Sequence, residues 1–280
     1  MVKQSIQPIK KEMNRTDEKV ISVINLIKKF KDFTAVNDIT FSVNKGEIFA
    51  FLGPNGAGKT TTIKMLTTLL VPTSGKLLVN NFDPLTQKNQ VRESFGIAFQ
   101  DQSLDDDLTA HENMEFHGVL YGVKDPLRSQ RIEQLMKFVG LWDRKDSLVK
   151  TFSGGMKRRL EIARALIHHP AILFLDEPTL GLDPQTRNSI WEHIKDLTKK
   201  EGMTVFFTTH YMEEAERVAD SIAIIDNGKI IEQGTAMDLR KITKTNSLED
   251  AFLKLTGKKI REDEASAVDR MRIRGRVWRH

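Results

Sequence analysis

The sequence predicts an α/β fold built on a parallel, doubly wound sheet. Short apolar runs at 48–52, 171–175, 204–208 and 222–226 are separated by segments with helical periodicity, an alternation typical of such sheets. Between residues 108 and 169 the apolar residues follow the helical period alone. We therefore expect one α/β core that is split by an all-helical insertion.

Each element can be placed from its periodicity and its bounding turns. Alternating or continuous apolar residues predict strands at 20–27, 39–43, 47–52, 76–79, 96–99, 171–175, 204–208, 222–226 and 229–232. Turn residues separate them at 44–46, at 71–75 and at Asn227-Gly228, where a hairpin is expected. The 3.6-residue period predicts a helix from about Ile63, then helices at 108–120, 127–139, 155–167, 236–242 and 248–255.

The composition is that of a soluble globular protein, with 39% apolar and 29% charged residues. No apolar run approaches the roughly 18 residues needed to cross a bilayer, and the polar N-terminus does not match a secretory signal. The absence of cysteine excludes disulfides and thiolate metal sites.

The net charge of +5 comes from the two ends of the chain. Residues 1–20 carry five basic and three acidic side chains, and residues 258–280 carry eight basic and four acidic ones. The near-neutral body argues against a nucleic-acid-binding face, so no nucleic-acid partner is expected. The basic tail is interpreted either as a solvated terminus or as a segment that contacts anionic lipid or a partner.

A glycine-rich turn between a predicted strand and a predicted helix has the pattern of a phosphate-binding P-loop. Its residues are Gly53, Pro54, Asn55, Gly56, Ala57, Gly58, Lys59, Thr60 and Thr61. The glycines allow backbone N–H groups to surround a phosphate, and the helix N-terminus adds a positive dipole. Lys59 is expected to reach the β- and γ-phosphates, and the Thr60 hydroxyl to ligate Mg²⁺.

Further polar residues follow predicted strands, where ligands bind in such sheets. Asp176 and Glu177 follow the strand at 171–175; Asp176 could hold Mg²⁺ beside Thr60, and Glu177 could accept a proton from an attacking water. Gln100 follows 96–99 and could ligate Mg²⁺ or water through its amide oxygen. His210 follows 204–208 and is either structural or a hydrogen-bonding partner of a γ-phosphate or the attacking water.

A second candidate anion site opens the predicted helix at 155–167. Ser153 is a plausible N-cap, and Gly154, Gly155 and Met156 would expose backbone N–H groups. Taken alone, the segment favours an ordinary helix cap over a site for a phosphate of another molecule.

In their order, these segments resemble the ATPase subunits of ABC transporters over roughly residues 20–257. The matching segments are Walker A at 53–61, Gln100 of the Q-loop, the signature at 152–156, Walker B at 173–176 with catalytic Glu177, the D-loop at 181–183 with Asp183, and switch His210. The resemblance implies a RecA-like P-loop core with an antiparallel β subdomain and an α-helical subdomain at about 101–169. Residues 1–19 would then be an N-terminal extension and 258–280 a tail.

The same resemblance implies ATP and Mg²⁺ in a composite site, sandwiched between Walker A of one protomer and the signature of a second protomer in a homodimer or heterodimer. Phe30 matches the aromatic residue that stacks on adenine, with Phe33 as a rival. Phe152 stands where Leu is common and Met156 where Gln is common. The Gly-Gly-Met-Lys-Arg-Arg-Leu stretch is similar to drug-resistance and ABC-2-type exporter ATPases.

The expected function is therefore that of the ATP-hydrolysing subunit of an exporter, bound peripherally at the cytoplasmic face of the membrane to a polytopic permease on another chain. An importer ATPase is an alternative that these motifs hardly resolve. A soluble ABC protein acting on ribosomes or DNA is less favoured, because the chain has one cassette and no sustained heptads. The signature segment argues against a P-loop kinase or GTPase.

Overall fold

The computed structural model describes residues 18–257. The predicted extension, apart from its last two residues, and the predicted basic tail lie outside the described residues. The strands are β1 Lys19–Phe30, β2 Phe33–Asn44, β3 Ile48–Leu52, β4 Ser74–Val79, β5 Phe95–Ala98, β6 Ile172–Asp176, β7 Thr204–Thr209, β8 Ser221–Asp226 and β9 Lys229–Gly234. The helices are α1 Lys59–Leu66, α2 Lys88–Ser94, α3 Ala110–Leu120, α4 Leu127–Phe138, α5 Gly154–Ala165, α6 Pro184–Glu201, α7 Met212–Val218, α8 Ala236–Thr243 and α9 Leu248–Thr256.

The predicted α/β class and each predicted strand are present, with shifted ends. Strand β2 begins at Phe33, six residues before its predicted start, and α1 begins at Lys59 and not near Ile63. Helix α2 was not predicted, because its sequence KNQVRES contains a single apolar residue, Val91, and so has no periodicity to detect.

Within the described range the strands form two sheets. The larger has the order β5-β6-β7-β3-β8-β9, parallel except for the antiparallel β8–β9 hairpin. The smaller is an antiparallel sheet of order β2-β1-β4. The parallel core agrees with the pattern of apolar runs, and the separate antiparallel sheet agrees with what the family resemblance implies.

Strands β3, β6, β7 and β8 of the larger sheet are buried on both faces, because their alternate residues enter two different apolar clusters. Ala50 and Phe207 face a cluster formed with α5, α6, α7 and α9. Phe49 and Phe206 face the other cluster, which includes α1 and the inner residues of the antiparallel sheet. Their ring centroids lie 5.2 Å apart, and Phe41 of β2 stacks on Phe49 at 5.7 Å. Burial on both faces explains why these strands read as continuous apolar runs.

Helices α3, α4 and α5 share a third apolar cluster, which forms the core of the helical insertion. Helix α3 begins with a capping box in which Thr109 and Glu112 satisfy each other's backbone N–H groups. On α5, Leu160 and Ala163 pack into this cluster, whereas Ile162 and Ala165 pack against the large sheet. Helix α5 therefore fixes the insertion relative to the strands. None of the helices in residues 18–257 is long and apolar enough to span a bilayer.

Candidate active site

The loops that follow β3, β6 and β7 meet at one edge of the large sheet. Strand β7 lies between the other two, and its register pairs Thr209 with Leu52 of β3 and Thr208 with Asp176 of β6. All three strands are parallel, so their carboxyl ends open on the same side. The predicted Walker A, Walker B and His210 segments are thereby adjacent, although they are far apart in the sequence.

The glycine-rich turn 53–61 fits tightly against β2 and β8. A Cβ on Gly53 would lie 2.3 Å from the carbonyl oxygen of Ile225 in β8, so only glycine fits without movement of the loop. Gly58, at φ 107°, is the N-cap of α1, and a Cβ there would lie 2.6 Å from the carbonyl oxygen of Ala35. Since left-handed backbone favours glycine, both the conformation and the packing require it at residue 58.

Lys59 directs its buried ammonium group back over the turn. Its Nζ donates hydrogen bonds to the carbonyl oxygens of Gly53, at 2.7 Å, and Pro54, at 3.2 Å. The same Nζ lies 3.2 Å from Oε1 of Glu177. A positive charge is therefore held between the turn and the end of β6.

Thr60 and Asp176 lie next to each other, as the strand-end argument expects. The Thr60 hydroxyl donates to Oδ2 of Asp176 at 2.9 Å, and the Thr208 hydroxyl donates to Oδ1 at 2.6 Å. In the described part of the chain, no group of three or more His, Asp or Glu side chains could hold a metal. One carboxylate and one hydroxyl are nevertheless a donor set that fits Mg²⁺, which binds few protein oxygens when substrate phosphates complete its shell.

Glu177 is buried and held in a left-handed backbone conformation, with φ 48°. Its N–H donates to the Thr208 hydroxyl at 3.0 Å, and its Oε2 lies 2.9 Å from Nδ1 of His210. Burial raises the pKa of Glu177, but the hydrogen bond with His210 and the charge of Lys59 outweigh burial and leave the pKa below its ordinary value. The carboxylate is thus ionised at neutral pH and able to accept a proton.

Gln100 and the two candidate adenine-stacking residues lie apart from this network. Gln100 follows β5, and its exposed side chain joins none of the hydrogen bonds that link Thr60, Asp176 and Glu177. Phe30 and Phe33 are paired across the end of the β1–β2 hairpin and are 44% and 62% exposed. Both rings are therefore exposed enough to stack on a base. The Lys28 ammonium group lies over the ring of Phe30, 4.9 Å from the ring centroid.

The signature segment forms the start of α5. Ser153 is the N-cap and accepts a hydrogen bond from the Met156 N–H at 3.3 Å. A Cβ on Gly155 would lie 2.9 Å from Cγ2 of Thr186, so the segment packs closely on α6. Asp183 caps α6, and its pKa is lowered by the hydrogen bonds from the side chain and backbone of Thr186. Ser153, Gly154 and Asp183 are at least partly exposed and outside the Lys59–Glu177 network.

Three residues that sequence reasoning did not single out support the site. Thr208 bonds both Asp176 and Glu177. Arg158 on α5 donates to backbone carbonyls on either side of Glu177. Glu214 on α7 accepts hydrogen bonds from the Thr179 hydroxyl at 2.6 and 2.8 Å, and burial raises its pKa despite these bonds. Arg158 and Glu214 each stand on the face of a helix that is otherwise apolar. A charged residue in such a position was the signal in the sequence that could have identified them.

Comparison with known proteins identifies relatives of this chain. The family described as ABC transporter matches residues 36–180. The linearmycin resistance ATP-binding protein LnrL of Bacillus subtilis (strain 168) is 45% identical over 215 residues, which cover 77% of this chain and 69% of that protein. The Nod factor export ATP-binding protein I of Ralstonia nicotianae (strain ATCC BAA-1114 / GMI1000) is 41% identical over 220 residues, covering 79% and 68%.

A solved structure shares the fold over most of its length. It is a dimeric ATP-binding cassette in a post-hydrolysis state, bound to ADP and Pi. The TM-score is 0.70 and the sequence identity 26%, and the match covers 77% of this chain and 98% of that structure.

Proposed function

The chain belongs to the ABC transporter family as an ATP-hydrolysing subunit of the exporter type, and we propose that it acts as a dimer docked on a separate membrane permease, with Glu177 as the catalytic base. The observation that carries the proposal is the cluster at the strand ends. It consists of a buried cation, a hydroxyl–carboxylate pair and a second, buried carboxylate next to the glycine-rich turn 53–61.

In this proposal the triphosphate of ATP lies over the turn 53–61 and the N-terminus of α1. The Lys59 ammonium group and the backbone N–H groups of the turn bind phosphate oxygens. Thr60 and Asp176, with Gln100 from its loop, would hold Mg²⁺, which neutralises charge on the β- and γ-phosphates. Phe30 stacks on adenine from the end of the β1–β2 hairpin.

Hydrolysis proceeds by in-line attack of water on the γ-phosphorus. The new bond forms between the water oxygen and phosphorus, the bond to the β–γ bridging oxygen breaks, and ADP leaves with the electron pair. Glu177 accepts the proton of the attacking water through a carboxylate oxygen. His210, with Nδ1 2.9 Å from Oε2 of Glu177, orients that carboxylate and would also stabilise the charge of the γ-phosphate.

The exposed signature segment supports the dimer. Ser153, Gly154, Gly155 and Met156 form a helix N-terminus outside the Lys59–Glu177 network. In the proposed dimer this N-terminus would bind the γ-phosphate of the ATP held by the other protomer. The ADP-bound and Pi-bound structure described above is itself a dimer. Asp183, which caps the adjacent helix, would line the same interface.

The permease is inferred from what the relatives are. One is named for linearmycin resistance and the other for Nod factor export, and each is an ATP-binding protein. No described helix of this chain could cross a bilayer. By analogy with these relatives, the proposed place of action is the cytoplasmic face of the cell membrane, on a polytopic partner that carries the transport path.

ATP-dependent dimerisation tests the composite site. In a Glu177→Gln background, which keeps ATP uncleaved, ATP and Mg²⁺ should shift the protein from monomer to dimer in light-scattering chromatography. Adding Ser153→Arg should abolish the shift, because it puts bulk and charge on the signature cap. Ser247→Arg, which removes the same type of serine cap from α9, is the matched control and should leave the shift intact. A strictly monomeric ATP-loaded protein would refute the composite site.

A further inference from the structure

Arg158 connects the signature helix to the end of β6. Its side chain is 9% exposed, and the guanidinium group lies at the carboxyl end of β6. Nε donates to the carbonyl oxygen of Pro178 at 2.9 Å, and Nη2 donates to that of Asp176 at 3.1 Å. The two acceptors flank Glu177 in the sequence. The planar guanidinium group is therefore hydrogen-bonded to the backbone on both sides of this residue.

The backbone between these two hydrogen-bonded carbonyl groups is strained at Glu177. Glu177 has φ 48°, a left-handed conformation that costs a non-glycine residue energy and persists only when its surroundings hold it. The Thr208 hydroxyl binds the Glu177 N–H, and Arg158 binds the two flanking carbonyl groups. Two of these hydrogen bonds hold the peptide group between residues 176 and 177, and the third holds the peptide group after Pro178. The backbone is therefore fixed on both sides of Glu177, and with it the direction in which the Glu177 side chain leaves the end of β6.

The same guanidinium group also reaches the loop of Gln100. Nη1 donates to the carbonyl oxygen of Phe99 at 2.5 Å and to Oε2 of Glu161 at 3.1 Å. Glu161 is 1% exposed, and its Oε1 accepts the N–H of Ser103 at 2.7 Å. One buried ion pair on α5 thus holds the chain on both sides of Gln100 as well.

We propose that Arg158 is a positioning residue that holds Glu177 in its proton-accepting orientation, and that Glu161 keeps Arg158 in place. The inference rests on the proposed role of Glu177 as the base. Without the guanidinium group, the Asp176 and Pro178 carbonyls lose their buried donor, and the peptide at Glu177 is free to relax from its left-handed conformation. A displacement of about 1 Å of a catalytic group can cost on the order of 100-fold in rate.

The test compares the turnover of ATP with its binding. Arg158→Met should lower kcat by roughly 10-fold or more, while the Kd for ATP stays within about twofold, because Lys59 and the P-loop backbone are untouched. Arg158→Lys retains the charge but lacks the planar fork, so its kcat should fall between those of Arg158→Met and the wild type. Arg131→Met is the matched control: it removes an arginine bond to the Ile167 carbonyl oxygen within the helical insertion and should leave kcat unchanged.

The charge left on Glu161 can make Arg158→Met fold poorly, since a buried carboxylate without its partner is destabilising. Arg158→Gln/Glu161→Gln removes both charges and serves as the second variant, with the same expected fall in kcat. In a Glu177→Gln background, Arg158→Met should cause no further loss of the residual hydrolysis, because the carboxylate that Arg158 positions is already absent.

The outcomes separate the two proposals. Wild-type kcat in folded Arg158→Met, or a further 10-fold loss in the Glu177→Gln background, would overturn the positioning role and leave the base assignment standing. Wild-type turnover in Glu177→Gln alone would overturn both. A fall in kcat with unchanged ATP affinity, intermediate turnover in Arg158→Lys and no additional loss in the Glu177→Gln background would support the positioning role.

Discussion

The ammonium group of Lys59 and the carboxylate of Glu177 form a buried ion pair, with Nζ and Oε1 3.2 Å apart and both side chains 6% exposed. Lys59 comes from the glycine-rich turn 53–61 and Glu177 follows the end of β6. In the proposed ATP complex, phosphate oxygens and Glu177 would therefore compete for one cation. ATP binding is expected to draw Lys59 towards the phosphates and leave Oε1 of Glu177 accessible to water.

Lys59→Ala should weaken ATP binding, because the charge that faces the phosphates is lost. Hydrogen bonds from charged donors contribute about 1.5–3 kcal/mol, so a rise in Kd of roughly 10-fold or more is expected. Titration with a fluorescent ATP analogue and competition by ATP would measure it. Unchanged affinity and turnover would count against the assignment of 53–61 as the phosphate-binding turn.

Phe30→Ala should weaken binding of ATP by about 1–3 kcal/mol, the usual scale for stacking of a base on an aromatic ring. Tripolyphosphate, which has no base, is the ligand control and should bind both proteins equally well. The same titrations on Phe33→Ala compare the two exposed rings of the hairpin. A loss confined to Phe33→Ala would show that Phe33 is the stacking residue.

Gly53→Ala should destabilise the fold, because the new Cβ would lie 2.3 Å from the backbone oxygen of Ile225. Overpacking of this kind costs about 1–3 kcal/mol. Gly154→Ala provides the contrast, since a Cβ there meets nothing within 4 Å and the residue begins a helix. Thermal unfolding should show a lower Tm for Gly53→Ala and an equal or higher Tm for Gly154→Ala. Equal Tm values for Gly53→Ala and the wild type would contradict the packing described for the turn.

Glu214→Gln should change how stability depends on pH. Burial raises the pKa of Glu214 in the fold above its ordinary value of 4.5. The carboxyl group of Glu214 therefore loses its proton at a lower pH in the unfolded chain than in the folded one. As a result, the wild type loses stability as pH rises from about 4.5 through the raised pKa of the folded state. A glutamine at this position can still accept a hydrogen bond from the Thr179 hydroxyl, but it does not ionise.

The Tm of Glu214→Gln minus that of the wild type should therefore grow between pH 4.5 and 7.5. Glu213→Gln, at the exposed neighbouring position, should show no such trend. A difference for Glu214→Gln that is constant or shrinks over this range would rule out the raised pKa.

The sequence predicts well what depends on local pattern. The buried strands β3, β6 and β7 are continuous apolar runs, and the rule that parallel strands open at one edge brings Asp176 to Thr60 without further information. The helical insertion follows from the 3.6-residue periodicity between residues 108 and 169, whereas the antiparallel subdomain was expected only from the family resemblance. Helix α2 was missed because its residues are almost all polar, and tertiary packing of Val91 stabilises it where its own periodicity does not.

Contacts between distant side chains could not be predicted in the same way. The pairing of Lys59 with Glu177 depends on rotamers and on the left-handed backbone at Glu177, neither of which leaves a periodic signal. The buried pair of Arg158 and Glu161 has the spacing of an ordinary exposed helix pair, three residues apart. Only the packing of α5 under the strand ends turns that pair inward.

Phosphate release by Glu177→Gln tests the central claim, that this buried carboxylate is the catalytic base. Steady-state hydrolysis of ATP and the Kd for ATP would be measured on the same preparations of the wild type, Glu177→Gln and the surface control Glu213→Gln. Glu177→Gln is expected to lower hydrolysis by about 100-fold or more, the scale of the loss of a general base. ATP should still bind, and the control should retain wild-type turnover. Near-normal hydrolysis by folded, ATP-binding Glu177→Gln would contradict the account.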